Sequence, residues 1–523
     1  MLRINNLNMP LNTTDADLKQ ATAQKLKCKL SDISDFQIAK KSTDARNKSN
    51  VHFVYSVDCN DVNLTFTDKD IEHILPPEKL VYKIKNDGVH PIVVGSGPAG
   101  MFAGLALAEA GLKPIILERG SEVDIRRQEV DTFWKLGKLN SESNVQFGEG
   151  GAGTFSDGKL TTGIKKDKFT AKVMQELYQA GAPQEILYLA KPHIGTDTLR
   201  IVVRNIRKKI ISLGGEYRFN TKLEDLVIKN EKIVAVKILH CGEISEIPAN
   251  KVFLAIGHSA RDTFEMLHRR RVYMEQKPFA VGARIEHKQA DINKAQYGKF
   301  ADSPYLGAAD YKMAVHLNNG RSAYTFCMCP GGQVVAAASE IGRVVTNGMS
   351  EFARDKQNAN AALLVGVGSP DFGSEHPLAG MYFQRKLEER AFVLGGKNYS
   401  APAQLAGDFL ADKESKAAGS VQPSYAPSVE WSKLSELFPP AICETLRMGI
   451  VEMGRKLRGF DNPDAVLTGV ESRSSSPVRI VRDDTFQSNI KGLYPCGEGA
   501  GYAGGITSSA ADALKVIHSL CTD

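Results

Sequence analysis

The sequence predicts an α/β fold: a doubly wound sheet, interrupted by an inserted α+β domain and preceded by a small α/β module. Three observations point there. From Pro91 to about His268, short apolar strands alternate with helical stretches, the order that builds a parallel sheet with helices on its faces. Between about Arg269 and Asp464 that regularity is lost, and strand signals mix with long helical stretches. From Val466 to Asp523 the pattern of strand, glycine-rich loop and helix returns, so the C-terminal end is expected to close the first sheet. Two or three domains suit a chain of 523 residues. The expected divisions are 1–85, 90–268, 269–464 and 465–523.

The first module reads as β-α-β-β. Leu2–Leu7 is strand-like, Asp15–Cys28 is helical with Thr14 as its cap, and Asp35–Lys40 and Val51–Val57 are β-rich. Such an appendage either binds a partner or packs on its host, and packing is the reading preferred. The linker Asn86-Asp-Gly-Val-His90 follows. Within the inserted part, Tyr324–Cys329 and Val334–Ala338 around Pro330-Gly-Gly332 suggest a hairpin, and Ser350–Leu364 and Met381–Leu394 suggest helices. The formal net charge of +6 is small for this length, so nucleic acid is not a favoured partner. No apolar run is long enough to span a bilayer. The N-terminus lacks the order of a signal peptide, and eight scattered cysteines do not form a disulfide framework. The expectation is a cytoplasmic protein without a metal site.

The strongest motif begins at Ile92-Val-Val94. Gly95-Ser-Gly97-Pro-Ala-Gly100 follows at once, then the apolar helix that continues through Met101. Gly95 suits a tight turn, Gly97 lets backbone approach a pyrophosphate, and Gly100 permits close helix–sheet packing. Phosphates are favoured at the helix N-terminus by unpaired N–H groups and the helix dipole. A second strand, Pro114-Ile-Ile-Leu117, ends in Glu118, where an acidic side chain accepts hydrogen bonds from an adenosine ribose. Strand, glycines, helix, strand and carboxylate in this order make a Rossmann-type dinucleotide site.

Ile92–Gly120, with its Glu-Arg-Gly ending, resembles the FAD fingerprint of the glutathione-reductase-like flavoproteins. Glu216–Ile238 followed by Lys251–Gly257 resembles their middle motif. Gly492-Leu-Tyr-Pro-Cys-Gly-Glu-Gly-Ala-Gly501 resembles their late motif, with Glu498 where that class usually has aspartate. Gly504-Gly-Ile-Thr-Ser-Ser509 then opens a helix whose N-terminus could face a flavin. More closely, Gln146–Leu160, Cys327–Gly332 and Thr468–Arg479 resemble the bacterial uncharacterised FAD-dependent, or NAD(FAD)-utilizing, dehydrogenases. The resemblance implies a Rossmann-type FAD-binding domain with an inserted α+β substrate or cap domain. It implies FAD as cofactor, held noncovalently, and no known substrate. The residues expected to hold it are Gly95, Gly97, Pro98, Ala99, Gly100, Glu118, Arg119, Gly150, Gly151, Gly153, Thr154, Leu223, Gly257, Gly497, Glu498, Gly505 and Ile506.

Beyond the cofactor, glycines in Gly148–Lys159 let several backbone N–H groups converge on one anion. Arg473 and Arg479 flank three serines and suit an anionic substrate, the FAD phosphates or surface carboxylates alike. His258, Arg261, Arg284 and His316 are further candidates for proton transfer. Cys327 and Cys329, two apart in a strand, would point to one face. They read as a dithiol relay or as buried free thiols, and two ligands are too few for zinc. Leu364-Val-Gly-Val-Gly fails as a second nucleotide motif, because no apolar helix follows. A nicotinamide would therefore visit transiently, or an electron-carrier protein would serve. The expected function is an FAD-dependent oxidoreductase acting on a small molecule. The alternatives are a flavin-dependent RNA-modifying protein and an FAD-retaining binding protein without turnover.

Overall fold

In the computed structural model, which describes residues 1–62, 67–75, 78, 80–163 and 167–521, the chain begins with an antiparallel sheet. Its elements are β1 (Leu2–Met9), α1 (Asp15–Leu26), β2 (Gln37–Asp44), β3 (His52–Cys59) and β4 (Ile71–His73), with strand order β2-β3-β1-β4. Thr14 caps α1 through a reciprocal box with Asp17. Leu2, Ile4, Leu18 and Leu26 form the shared core. The edge strand β2 docks on the rest of the chain by main-chain bonds: Lys41 N–H donates to Tyr188 O at 2.8 Å, and Ala190 N–H donates to Lys41 O at 2.9 Å. Residues 63–66, 76, 77 and 79 of the expected first module lie outside the described residues.

The next part contains β5 (Ile92–Val94), α2 (Pro98–Glu109), β6 (Ile115–Leu117), α3 (Val123–Leu136), α4 (Lys168–Gln179), α5 (Thr196–Ser212) and β7 (Glu216–Arg218). It continues with the meander β8 (Thr221–Lys229), β9 (Lys232–His240) and β10 (Glu243–Pro248), then β11 (Val252–Leu254) and α6 (Arg261–Arg269). Strands β7, β6, β5 and β11 are parallel neighbours, and the late strand β22 (Leu493–Pro495) completes the order β22-β11-β5-β6-β7. Strand order reverses between β5 and β11, which opens a crevice at their C-terminal ends. Ala99 to Ala108 of α2 are all buried, as an all-round apolar helix must be. They pack with α4, α5 and the final helix α12 (Ile506–His518) on one face of the sheet. The meander and α6 cover the other face.

Between these halves run β12 (Met274–Gln276), β13 (Phe279–Lys288), α7 (Gln289–Tyr297), β14 (Ala314–His316), β15 (Ser322–Ala336), β16 (Thr346–Met349) and β17 (Asn358–Val367). Then come α8 (Ser369–Phe372), α9 (Ala379–Leu394), β18 (Ala401–Leu405), α10 (Ala406–Leu410), β19 (Val429–Trp431), α11 (Pro440–Lys456), β20 (Val466–Glu471) and β21 (Val478–Ile480). They build a sheet ordered β14-β15-β17-β13-β20-β18-β19, with β16 on β15. Trp134 of α3 ties the two halves together, its indole N–H donating to Ala336 O at 2.9 Å.

Three expectations need correction. Tyr324–Ala338 is not a hairpin: Pro330-Gly-Gly332 lies within one long strand, whose register against β17 shifts between Phe326 and Cys329 and again before Gly332. Bulges absorb the glycines without reversing the chain. Ser350–Leu364 is not a helix, since residues 358–364 belong to β17. Burial on both sheet faces overrides the helical preference of its alanines. Val466–Glu471 does not close the nucleotide sheet, because β20 pairs with β13 and β18 in the inserted sheet.

Candidate functional site

A cavity of about 590 Å³ starts at the glycine turn after β5, passes the ends of β11 and β22, and reaches the face of the inserted sheet. Its volume is that of a small-molecule or cofactor site. At the first end, Gly95 turns with φ +97°, and a Cβ there would stand 2.4 Å from Ala255 O. A Cβ on Gly100 would meet Gly95 O at 1.9 Å, so Gly100 packs the turn rather than lining the cavity. Gly97 and Gly151 face each other so closely that a Cβ on Gly151 would reach 2.9 Å from Gly97 Cα. Pro98 opens α2 beside them, and the first N–H groups of a helix have no partner within it.

Glu118 is buried at the end of β6 and lines the same wall. Its Oε2 accepts from Ser96 N–H at 2.9 Å and Ser96 Oγ–H at 2.8 Å; its Oε1 accepts from the Gly120 and Gly148 N–H groups, each at 2.9 Å. A carboxylate offers about four acceptor positions, and all four are engaged within the chain. Glu118 therefore clamps three segments together, a task beside the ribose contact expected of it. Arg119 also lines the cavity, stacked on Phe147 at 4.2 Å and paired with Glu142 and Asp262.

The loop after α3 is folded by a residue that sequence reasoning missed. Arg126 is fully buried and donates to Asn144 O (2.8 Å), Val145 O (2.9 Å), Gly148 O (3.3 Å), Glu149 O (2.7 Å) and Gly151 O (2.9 Å). Its guanidinium also lies over Phe155 at 4.9 Å. Burial pushes its pKa down to about 10, against the pull of Glu118 and Glu149. A peptide unit is flat and trans, so the carbonyl that Gly151 turns to Arg126 sends the Ala152 N–H the opposite way. Ala152 lines the cavity. The signal was present: Arg126 sits on the buried stripe of α3 with Val123, Val130 and Phe133.

The remaining candidates divide cleanly. Pro98, Ala99, Gly153, Leu223, Gly257, Glu498, Gly505 and Ile506 line the cavity with Gly95, Gly97 and Gly151. Gly150, Thr154 and Gly497 stand behind it: a Cβ on Gly150 would strike Thr154 Oγ1 at 2.1 Å, and one on Gly497 would strike Ala99 Cβ at 2.6 Å. His258 lines the cavity with its side chain 10% exposed, and its Nδ1 is 3.3 Å from Glu498 Oε1. That nitrogen has no hydrogen-bond partner among the described residues.

The far end is built from side chains of the inserted sheet and of the loop after Thr154: Asp157, Lys159, Lys312, Cys327, Asn347, Glu471 and Arg473. Arg473 and Arg479 do not converge there. Arg473 is buried against Glu388, donating from Nε at 3.1 Å and from Nη2 at 3.0 Å, and from Nη1 to Ser339 Oγ at 2.6 Å. Arg479 is exposed on β21, over the Tyr502 ring at 5.4 Å, because alternation along the strand turns it outward while Val478 and Ile480 go in. Arg261 pairs with the same Glu388 and with Glu340. Burial opposes the charge on Glu388, but the two arginines hold its pKa far below the usual carboxylate range. Arg284 is buried behind Cys327, bonded to Glu471, Asn347, Asn360 and Cys327 O. His316 is exposed and bonded to Ser322. Arg261, Arg284 and His316 thus lie off the cavity wall, held by other partners.

Comparison with known proteins agrees with this layout. Residues 278–474 match the family described as FAD-dependent protein, C-terminal domain-like; residues 90–137 match an FAD binding domain; residues 1–60 match a domain of unknown function. Among solved structures, the glycerol-3-phosphate dehydrogenase from Bacillus halodurans complexed with FAD is 13% identical, with a TM-score of 0.36 over 84% of this chain and 65% of its own. A flavin-dependent brominase is 14% identical, with a TM-score of 0.37 over 82% of this chain and 77% of its own. Both are too distant to bear on the chemistry. No helix among the described residues is long and apolar enough to cross a membrane. An uncharacterized protein of Clostridium beijerinckii is 49% identical over 528 residues, covering 99% of this chain and 98% of its own. The chain belongs to the family of that clostridial protein, and it is an FAD-dependent flavoprotein.

Proposed function

We propose that this protein is an FAD-dependent oxidoreductase that passes electrons between noncovalently bound FAD and a small anionic molecule. The subgroup favoured is the uncharacterised FAD-dependent dehydrogenases within the glutathione-reductase-like flavoproteins. The observation that carries the reading is the single cavity joining a glycine cradle to a wall of charged side chains. The residues present fit the group: Cβ atoms on Gly95, Gly100 or Gly151 would collide with neighbouring backbone, so glycines alone permit this tight turn beside a helix N-terminus suited to phosphate. Glu118 and Leu223 would flank the adenosine, while Glu498, Gly505 and Ile506 would flank the ribityl chain and flavin.

When bound, FAD supplies the two-electron chemistry, and the protein supplies orientation and exclusion of water. Lys159 and Lys312 would bind an anionic substrate at the far end, where Asp157 and Glu471 also stand and Arg473 is held by Glu388. His258, on the cavity wall with Nδ1 3.3 Å from Glu498 Oε1, is the side chain placed to exchange a proton with a bound substrate. A nicotinamide visiting transiently or an electron-carrier protein would be the donor. The test begins with the purified protein: it should be yellow and release FAD into the supernatant on acid precipitation. Anaerobic addition of NADH, NADPH or a reduced carrier should bleach the flavin, and one of a panel of carbonyl, enoyl and quinone acceptors should restore it. Bound FAD that no donor reduces and no acceptor reoxidises would leave a binding protein instead.

A further inference from the structure

Cys327 and Cys329 remain unused by the reading above, although Cys327 lines the same cavity. In a regular strand, residues two apart have Cα atoms about 6.6 Å apart, near the upper limit for a disulfide. This strand is not regular. Its register against β17 breaks between Phe326 and Cys329, and Cys327 adopts φ +41°, a conformation that non-glycine residues rarely take. The kink presents Cys327 to the cavity while Cys329 stays fully buried behind it. The sulfur of Cys329 folds back toward its neighbour, its S–H donating to Cys327 O at 3.3 Å. Both cysteines are free thiols.

We propose that Cys327 and Cys329 form an exchangeable dithiol–disulfide couple opening onto the cavity, with Cys327 the attacking thiolate, Cys329 the resolving thiol, and a small disulfide the substrate. The charged surroundings favour this assignment of roles. Arg284, fixed by Glu471, Asn347 and Asn360, donates to the Cys327 carbonyl at 2.8 Å. Lys159 lines the cavity with its Nζ 3.4 Å from Asp157, and that buried nitrogen has no hydrogen-bond partner among the described residues. Asp157 and Glu471 oppose them, and Tyr311 stands near Cys329. The neighbouring Cys329 thiol, with Arg284 and Lys159, holds Cys327 well below the ordinary thiol range despite burial and Asp157. The nearness of Cys327, with burial, pushes Cys329 up. One member is thus poised to attack and the other to wait.

The thiolate of Cys327 attacks one sulfur of the substrate disulfide; that S–S bond breaks as a mixed disulfide forms, and the first thiolate leaves and takes a proton from water. Cys329 gives its proton to solvent and attacks Cys327 Sγ, releasing the second thiolate, which is protonated in turn. The substrate gains two electrons and the protein pair loses two. Return of the pair to one thiolate and one thiol takes two electrons and one proton, which FAD, when bound and reduced, would supply. That last leg rests on the flavin reading above; the exchange itself does not.

The test uses the full-length protein, with and without FAD, equilibrated against mixtures of reduced and oxidised glutathione and then trapped with N-ethylmaleimide for mass measurement. Wild type should lose two hydrogens, reversibly, in the peptide carrying residues 327–329. Cys329→Ser should accumulate a glutathione adduct on Cys327, and Cys327→Ser should carry none at Cys329. At pH 6.5 iodoacetamide should label Cys327 at least about tenfold faster than the exposed Cys241, because an ordinary thiol with pKa about 8.5 is almost wholly protonated there. No 327–329 disulfide in wild type at any glutathione ratio, a result that needs no variant to fold, overturns the proposal. So does labelling of Cys327 no faster than that of Cys241. With FAD bound, anaerobic dithionite titration of oxidised wild type should consume about twice the electrons taken up by Cys327→Ser. Equal uptake would overturn the flavin leg. Exchange in a protein that binds no flavin would sustain the couple and defeat the flavin reading instead.

Discussion

The two ends of the cavity are built by opposite means. At the nucleotide end the chain offers backbone: glycine turns, a helix N-terminus, and a loop whose carbonyls are gathered by one buried arginine. At the far end the inserted sheet offers side chains, charged and paired behind the wall, with a bulged strand that carries two thiols. The first end shapes itself to a ligand that the fold anticipates, and its chemistry is that of main-chain donors. The second is a scaffold of buried ion pairs, whose identity can change without disturbing the first. Variants that strike one end and spare the other test the division.

The largest effect is expected from Arg126→Met. It removes a donor from five carbonyl oxygens, of which those of Gly148, Glu149 and Gly151 keep a second donor while those of Asn144 and Val145 lose the one that holds them, at roughly 1–3 kcal/mol for each left unsatisfied. Loss of FAD retention together with a fall in stability of about 4 kcal/mol or more is expected in urea titration. Retained flavin and wild-type stability would mean that the loop holds its own shape. Glu388→Gln comes next. It removes the charge shared by Arg261 and Arg473, and breaking such a buried pairing costs about 3–5 kcal/mol. Here the flavin site should persist in whatever fraction stays folded.

The same carboxylate sets an acid limit. Its folded pKa lies below the unfolded value of about 4.3, so the unfolded state binds the proton more readily and stability rises with pH across that interval. The contribution of Glu388 is fully present above about pH 4.3 and is lost as pH falls through the much lower folded value. Denaturation midpoints of wild type and Glu388→Gln should therefore converge on acidification below about pH 4.3.

Glu118→Gln should act at the nucleotide end by a smaller amount. An amide NH₂ would face two N–H donors in place of an acceptor, and a lost charge-assisted bond is worth about 1.5–3 kcal/mol. FAD affinity measured by fluorescence titration should fall roughly 10- to 150-fold. The smallest effect belongs to Arg479→Ala, exposed on β21, which should alter stability and flavin content by no more than about half a kcal/mol. A clear loss of substrate turnover there would restore the reading in which Arg473 and Arg479 act together.

The contrast also explains what was legible beforehand. The nucleotide end could be read because its constraints are local: Ile92–Glu118 holds strand, turn, helix, strand and carboxylate within one stretch of chain. The N-terminal strands and the cap at Thr14 were legible for the same reason. The far end was not, because Cys327, Glu471 and Arg473 come together only through pairing of β13, β15, β17 and β20, and Lys159 reaches them from the distant loop after Thr154. Residues 358–364 read as helix because alanine and leucine favour it, and only two-sided sheet burial reverses that. Glu118 was singled out for a ribose, but its acceptance from Ser96, Gly120 and Gly148 was not foreseen, since a carboxylate's donors cannot be counted from sequence. Arg126 was missed although one charge on an apolar helical stripe was there to be seen.

The central claim is that the glycine turn Gly95–Gly100, with the Gly151 loop packed against it, holds an adenine dinucleotide whose flavin end faces the inserted sheet. Titration of flavin-free protein with FAD and with FMN, followed by flavin fluorescence, tests it most directly. FAD should bind at least about 100-fold more tightly than FMN, because FMN lacks the adenosine and the second phosphate; that ratio corresponds to about 2.7 kcal/mol. Equal affinity for the two, or binding of neither, would contradict the claim.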